Sequence, residues 1–164
     1  MKLRLSLCIM ATLVALVGAG ETHAQYLGHN SIGMYTVPTP TFGGPEDWYD
    51  QTCWEGVGGF TTYVVLHNPW NDQLDQPINN VGCFEFKMEV DGTSLFMSQS
   101  LPANATNFLS PPEYLVGCCL PVINDQVLLI TMNGGVFTTD PHRVYVTPVA
   151  PQYQSLPGAI AITD

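Results

Sequence analysis

The sequence predicts an all-β protein, an antiparallel β-sandwich of the immunoglobulin-like or jelly-roll-like kind with about eight strands. Thirteen prolines and fifteen glycines punctuate the 164-residue chain. The segments between them are short and rich in Val, Ile, Thr, Tyr and Phe, which fit the pleated surface of a sheet. Beyond the first residues, no stretch reads as a helix. Short strands separated by turns are typical of sandwiches.

The first element is a predicted secretory signal peptide at residues 1–24. Lys2 and Arg4 give it a basic start, an apolar run follows from Leu5 to Val17, and small residues precede a cleavage point after Ala24. A membrane-spanning helix needs about 20 apolar residues, more than this run contains. We therefore expect residues 25–164 to form a single domain that is secreted, either extracellular or periplasmic, with no membrane span after signal removal.

The strands follow in chain order. They are predicted at 32–37, 60–67, 81–90, 94–100, 114–119, 127–132, 143–147 and 159–163, with a further short one at 136–138. The apolar run 127–130 predicts a strand that is central in its sheet or covered on both faces. Residues 38–59 are predicted to form the longest irregular segment, and loops of that length are often functional or flexible.

The strand at 81–90 alternates apolar and polar residues. The period of two places one set of side chains against the core and the other towards solvent. The predicted core set is Phe84, Phe86, Met88 and Val90, and the predicted solvent set is Cys83, Glu85, Lys87 and Glu89. Asp91-Gly92 predicts a tight hairpin turn after this strand, and Asn133-Gly134-Gly135 predicts another turn later.

The predicted mature chain is strongly acidic. It keeps thirteen of the fourteen acidic residues but only Lys87 and Arg143 among the strong bases, a formal charge of about −11. We expect no nucleic acid as a partner, because nucleic-acid binding requires a basic stripe. Anionic membrane surfaces repel a chain with this negative charge. The acidity is typical of a soluble exported protein, the alternative being cation binding.

Four cysteines follow the predicted cleavage point, namely Cys53, Cys83, Cys118 and Cys119. An even number in a small exported domain predicts disulfides, and four cysteines allow three pairings. A bond between the neighbours Cys118 and Cys119 would strain the backbone. We therefore expect Cys53 and Cys83 each to pair with one of them, and the sequence leaves open which. The rival zinc site would require two separated Cys-x-x-Cys pairs.

Several segments carry a resemblance to a known group. They are Ser31-Ile32-Gly33-Met34-Tyr35, Thr62-Tyr63-Val64-Val65-Leu66-His67-Asn68-Pro69, Val81-Gly82-Cys83-Phe84-Glu85-Phe86, Pro111-Pro112-Glu113-Tyr114-Leu115-Val116-Gly117 and Ser155-Leu156-Pro157-Gly158. With them the chain resembles uncharacterised secreted bacterial β-sandwich proteins, distantly similar to cohesin-type and carbohydrate-binding sandwiches. The resemblance implies a fold and a location outside the cell, and it implies no catalytic residue.

One loop is a candidate carbohydrate site. Trp48, Tyr49 and Trp54 lie among four acidic residues in segment 46–55. Aromatic rings stack on the apolar faces of sugars, and carboxylates accept hydrogen bonds from their hydroxyls. The alternative is that these rings cap one open end of the sandwich.

A second loop is a candidate metal site. Asp72 and Asp75, with Asn71, offer the oxygen ligands that a hard cation such as calcium prefers. The alternative is a solvated turn. His29, His67 and His142 are scattered, and we expect each at a surface or turn position rather than as a ligand.

The sequence favours a non-enzymatic protein without a cofactor. It contains neither the Gly-x-Ser-x-Gly nucleophile elbow nor the His-Glu-x-x-His zinc motif. We therefore expect an extracellular structural or interaction module whose partner is a surface protein or a glycan, bound by exposed loops or a sheet edge. A carbohydrate-binding module using the loop aromatics is the alternative, and a small secreted hydrolase is a weaker one.

Overall fold

A computed structural model describes residues 28–37, 57–92, 95–140 and 142–163. The predicted signal peptide and most of the long irregular loop lie outside these ranges. The strands of the described residues are β1 (Ser31–Val37), β2 (Gly58–His67), β3 (Trp70–Asn71), β4 (Gln76–Pro77), β5 (Asn80–Asp91), β6 (Leu95–Ser100), β7 (Ala105–Asn107), β8 (Glu113–Pro121), β9 (Gln126–Val136), β10 (Arg143–Thr147) and β11 (Ala161–Thr163). One 3₁₀ turn, Pro151–Tyr153, precedes the last strand.

The strands form two main antiparallel sheets. Sheet A has the order β1-β2-β9-β6. Sheet B has the order β10-β5-β8-β7, and β11 also pairs with β5, beside β10. The two-residue strands β3 and β4 pair only with each other. The predicted all-β class is confirmed, although the number of strands is higher than predicted because β3, β4 and β7 are too short to produce a sequence period.

The main core lies between the two sheets. Val64 and Leu66 of β2 and Leu129 of β9 meet Phe84 and Phe86 of β5 there, and all five are fully buried. The rings of Phe84 and Phe86 stack with centroids 5.4 Å apart. Burying a side chain of this size stabilises the fold by about 1.5–3 kcal/mol, so this layer holds the sheets face to face.

Sheet A also has a buried outer face. Tyr35, Tyr63 and Val65 form a second apolar cluster, against which Leu128 packs. Since β9 is central in its sheet and has apolar neighbours on both faces, the interpretation of its continuous apolar run is confirmed. Among the described residues, no helix has the length and apolar character needed to cross a membrane.

Both turns predicted from glycines are wrong. Asp91 ends β5 in sheet B, and β6 belongs to sheet A, so Gly92 stands where the chain leaves one sheet for the other. Its φ of +107° is the conformation that glycine tolerates best. Gly134 and Gly135 lie inside β9, which merges the two strands predicted at 127–132 and 136–138, and they pair with Phe60 and Gly59 of β2.

Three predicted side-chain positions are also wrong. Glu85, predicted to face solvent, is only 2% exposed because Ser155 of the carboxyl-terminal segment covers it. Val90, predicted to lie in the core, is 37% exposed near the end of β5. His67, predicted at the surface or in a turn, is completely buried.

Candidate functional site

Among the described residues, an open groove of about 380 Å³ lies between the edges of the two sheets. Sheet A contributes Ile32 of β1, and sheet B contributes Val146 of β10 and Ile162 of β11. The remaining lining residues are Asn30, Asp72, Leu156, Ile160 and Ala161. The groove therefore combines aliphatic side chains with two polar residues and is open to solvent.

The groove is continuous with the core. Ile32, Val146, Ile160 and Ile162 are partly buried and pack against the main core cluster. Alternation along β10 and β11 turns the side chains of Val146 and Ile162 inwards, but the two sheets do not close over them. The groove walls are therefore partly buried residues at the margin of the core, and Ile32, Val146 and Ile162 lie on strands.

The polar end of the groove is held by Asn30. Its Nδ2 donates to the carbonyl of Trp70 at 3.0 Å, and its Oδ1 accepts from the Trp70 amide at 2.8 Å. Its backbone, at φ 55°, adopts the left-handed conformation that asparagine tolerates. The neighbouring ring of His29 stacks on Trp70 with centroids 4.2 Å apart. These contacts fix the β3–β4 turn beside the start of β1.

The β3–β4 turn carries the predicted metal residues. Asn71 Oδ1 accepts hydrogen bonds from the amides of Gln73 and Leu74 at 3.0 Å, which shapes the turn around its side chain. Asp72 lines the groove, and Asp75 is exposed in the same turn. Within the described ranges, no three His, Cys, Asp or Glu side chains come together as a metal site. The metal assignment stays a prediction.

The other wall of the groove belongs to the carboxyl-terminal segment 149–163. Two carboxylates of sheet B hold it: Glu85 accepts from the Ser155 amide at 2.7 Å and from its hydroxyl at 2.6 Å, and Glu113 accepts from the Ala150 amide at 2.9 Å. Between these two anchors, Gln154 bonds Val149 and Gly158. The segment thereby presents Leu156 and Ile160 to the groove.

A buried polar pair lies on the other side of sheet A. The hydroxyl of Tyr35 is 2.7 Å from Nε2 of His67, and both residues are buried. Burial lowers the pKa of His67 to about 4, because the charged imidazolium is poorly solvated there. His67 is therefore neutral near pH 7 and acts as a hydrogen-bonding element of the sheet.

The cysteines do not form the predicted disulfides. The structure contains Cys83, Cys118 and Cys119 as free thiols, and Cys53 lies outside the described residues. Cys83 Sγ lies 3.0 Å from Thr163 Oγ1 of β11, whereas Cys118 Sγ donates to the Val81 carbonyl at 3.3 Å. The two thiols therefore contact different partners.

A β-bulge places the adjacent residues Cys118 and Cys119 in different environments, so we expect their thiols to differ in reactivity. Since Val81 pairs with Leu120 and Cys83 with Gly117, the single Gly82 faces both Cys118 and Cys119. Cys118 packs against the core and Cys119 is exposed. Burial, reinforced by the neighbouring cysteines, raises the pKa of Cys118 to about 11.

Iodoacetamide at pH 8 is expected to alkylate Cys119 at least about tenfold faster than Cys118. The thiolate is the nucleophile, and a pKa of about 11 leaves only about a thousandth of Cys118 ionised at that pH. Peptide mass spectrometry of the reduced, folded protein measures both rates. Equal rates in the folded protein would contradict the assignment, whereas rates that become equal only in urea would support it.

The three residues of the predicted carbohydrate site, Trp48, Tyr49 and Trp54, lie outside the described residues, so that assignment stays a prediction. Sequence reasoning singled out Asp72 but missed the other groove residues, because the groove combines four separate parts of the chain. Comparison with protein-family models, curated proteins and solved structures finds no match to this chain.

Proposed function

We propose that this chain is a non-enzymatic extracellular interaction module that binds a partner in the groove between its two sheets. The observation that carries the proposal is the groove itself, in which side chains continuous with the core stay open to solvent. When a partner removes apolar surface of this kind from water, the free energy falls by about 25 cal/mol per Å². The acidic composition and the predicted signal peptide support a location outside the cell.

The groove suits binding because contacts outside it fix the positions of the residues in its walls. Strand pairing fixes Ile32, Val146 and Ile162, and the Glu85 carboxylate fixes the segment that carries Leu156. A preformed site loses little conformational entropy when it binds, which favours affinity.

A titration with Nile red, a neutral apolar dye, tests the groove. We expect saturable fluorescence enhancement with the wild-type protein. Val146→Phe places an aromatic ring among the groove side chains and is expected to reduce the enhancement at least about fivefold, since the ring fills the space that the dye occupies. Leu156→Asn changes an exposed groove residue and is expected to weaken binding without affecting folding.

Two matched variants control for dye bound elsewhere. Thr106→Phe adds the same ring at an exposed position of β7, and Phe108→Ala removes an exposed ring outside the groove. Both are expected to leave groove binding unchanged. If the dye responds to Phe108→Ala but to neither groove variant, the proposed site is wrong.

A further inference from the structure

The position of the groove between two sheets admits an extended peptide as its ligand. Among the described strands, the groove lies between β1, at one end of the strand order of sheet A, and β10 and β11, at one end of sheet B. Successive side chains of an extended segment point to opposite sides at about 3.3 Å per residue. A segment lying in the groove can therefore insert every second side chain between Ile32 and Ile162 while its backbone runs beside the strand edges, the geometry of peptide recognition by strand addition.

The charge of the groove selects among such segments. Asp72 is the charged residue of its lining, and Asp75 stands in the same turn. The two cations of the described residues are engaged elsewhere: Lys87 pairs with Glu89 at 2.8 Å, and Arg143 lies beside Tyr145 and Asp91. Alternation along β10 also turns Arg143 to the face opposite Val146. The mouth of the groove is therefore negative.

Net charge favours another protein over a second copy of this chain as the ligand of the groove. The full sequence carries a formal charge of −10, so two copies repel each other and bring no basic segment to Asp72. A positively charged partner is attracted instead. Electrostatic complementarity raises the association rate of such a partner and favours it over others.

We propose that the groove binds an extended segment of another polypeptide, with alternating aliphatic side chains that fill the groove and a Lys or Arg that pairs with Asp72. The inference rests on the proposed function, because it names the ligand of the same groove. The aliphatic residues supply affinity, and the terminal cation supplies specificity and orientation.

Two coumarin-labelled peptides test this proposal by fluorescence anisotropy. The first is Lys-Val-Thr-Ile-Thr-Val-Lys, which offers a cation at either end whichever way it runs, and the second has Glu in place of both Lys. We expect the Lys peptide to bind the purified protein about five- to tenfold more tightly at low salt. High salt is expected to shrink this preference because it screens exposed charges.

Matched variants separate the groove from the general charge of the protein. Asp72→Asn is expected to lower the affinity for the Lys peptide about threefold, whereas Asp75→Asn removes the same charge outside the groove lining and is expected to change it less than about 1.5-fold. Val146→Phe and Leu156→Asn are expected to weaken binding of both peptides.

The outcomes distinguish the two proposals. If Nile red binds the groove but neither peptide competes with it, or if Asp72→Asn and Asp75→Asn act equally, the peptide proposal is overturned and the groove remains. Concentration-dependent dimerisation abolished by Val146→Phe would assign the groove to a second copy instead. If the groove variants change neither dye nor peptide binding, the proposed function fails as well.

Discussion

Lowering the pH from 7 to 5 is expected to reduce the free energy of unfolding by about 2 kcal/mol through His67 alone. The imidazole has a pKa of 6.5 when it is exposed in the unfolded chain and about 4 in the folded protein. Between these values the unfolded chain binds the proton first, so protonation favours unfolding. The full contribution, about 3 kcal/mol, is present above pH 6.5 and is lost as the pH falls towards 4.

The structural reason is the position of His67 at the end of the buried strand β2. Its side chain is completely buried, and Nε2 contacts the hydroxyl of Tyr35 on the neighbouring edge strand. Charging the ring places an imidazolium in an environment that solvates it poorly. The expected local consequence is separation of β1 from β2 before the rest of the sandwich unfolds.

Urea unfolding at pH 7 and pH 5 measures the effect, with His67→Gln as the reference. Glutamine keeps a hydrogen-bonding side chain and does not titrate, so the variant should lose about 2 kcal/mol less than the wild type over this interval. Tyr35→Phe removes the hydroxyl but keeps the buried imidazole, and its pH dependence should remain. Parallel loss of stability in the wild type and His67→Gln would show that His67 is not the titrating group.

The fold class follows from local patterns that the structure preserves. The alternation in β5 places Phe84, Phe86 and Met88 in the core as predicted, and the continuous apolar run in β9 marks the strand that is covered on both faces. Period-two alternation reports local backbone geometry, and β5 keeps that geometry from Phe84 to Met88. In β9 a register shift at Leu129 interrupts it within the apolar run.

The predictions that failed concern long-range partners. Asn133-Gly134-Gly135 has the composition of a turn, yet its backbone continues a long strand because β2 pairs with it residue by residue. Glu85 has the alternation of a solvent residue, yet a segment seventy residues away covers it. The groove combines residues 30–32, 72, 146 and 156–162, which only the pairing of both sheets brings together.

Glu85→Ala is expected to lower the free energy of unfolding by about 3 kcal/mol. We expect this loss to be larger than that from replacing any other carboxylate described above. The carboxylate accepts two short hydrogen bonds from Ser155, and a hydrogen bond to a charged group contributes about 1.5–3 kcal/mol. The substitution also opens a cavity beneath the segment, because Glu85 is buried and pairs directly with Ala161 of β11.

Calorimetry and amide hydrogen exchange test this prediction together. Glu85→Ala should speed exchange in residues 155–163 while leaving the β2–β9 pairs protected, since the lost contacts belong to the carboxyl-terminal segment. Ser155→Ala keeps the bond from the backbone amide and should cost only about 1.5 kcal/mol. Glu89→Ala is the matched control, because this glutamate lies on the same strand but forms an exposed ion pair with Lys87, and its loss should cost less than about 0.5 kcal/mol.

The same variant connects stability with the proposed binding site. If Glu85 holds the segment that carries Leu156 and Ile160, Glu85→Ala should weaken peptide binding in the groove at temperatures where the protein is still folded. Loss of stability without a change in exchange at 155–163 or in peptide binding would show that the carboxylate supports sheet B alone. Faster exchange confined to that segment, accompanied by weaker binding, would show that the groove wall depends on this one buried carboxylate.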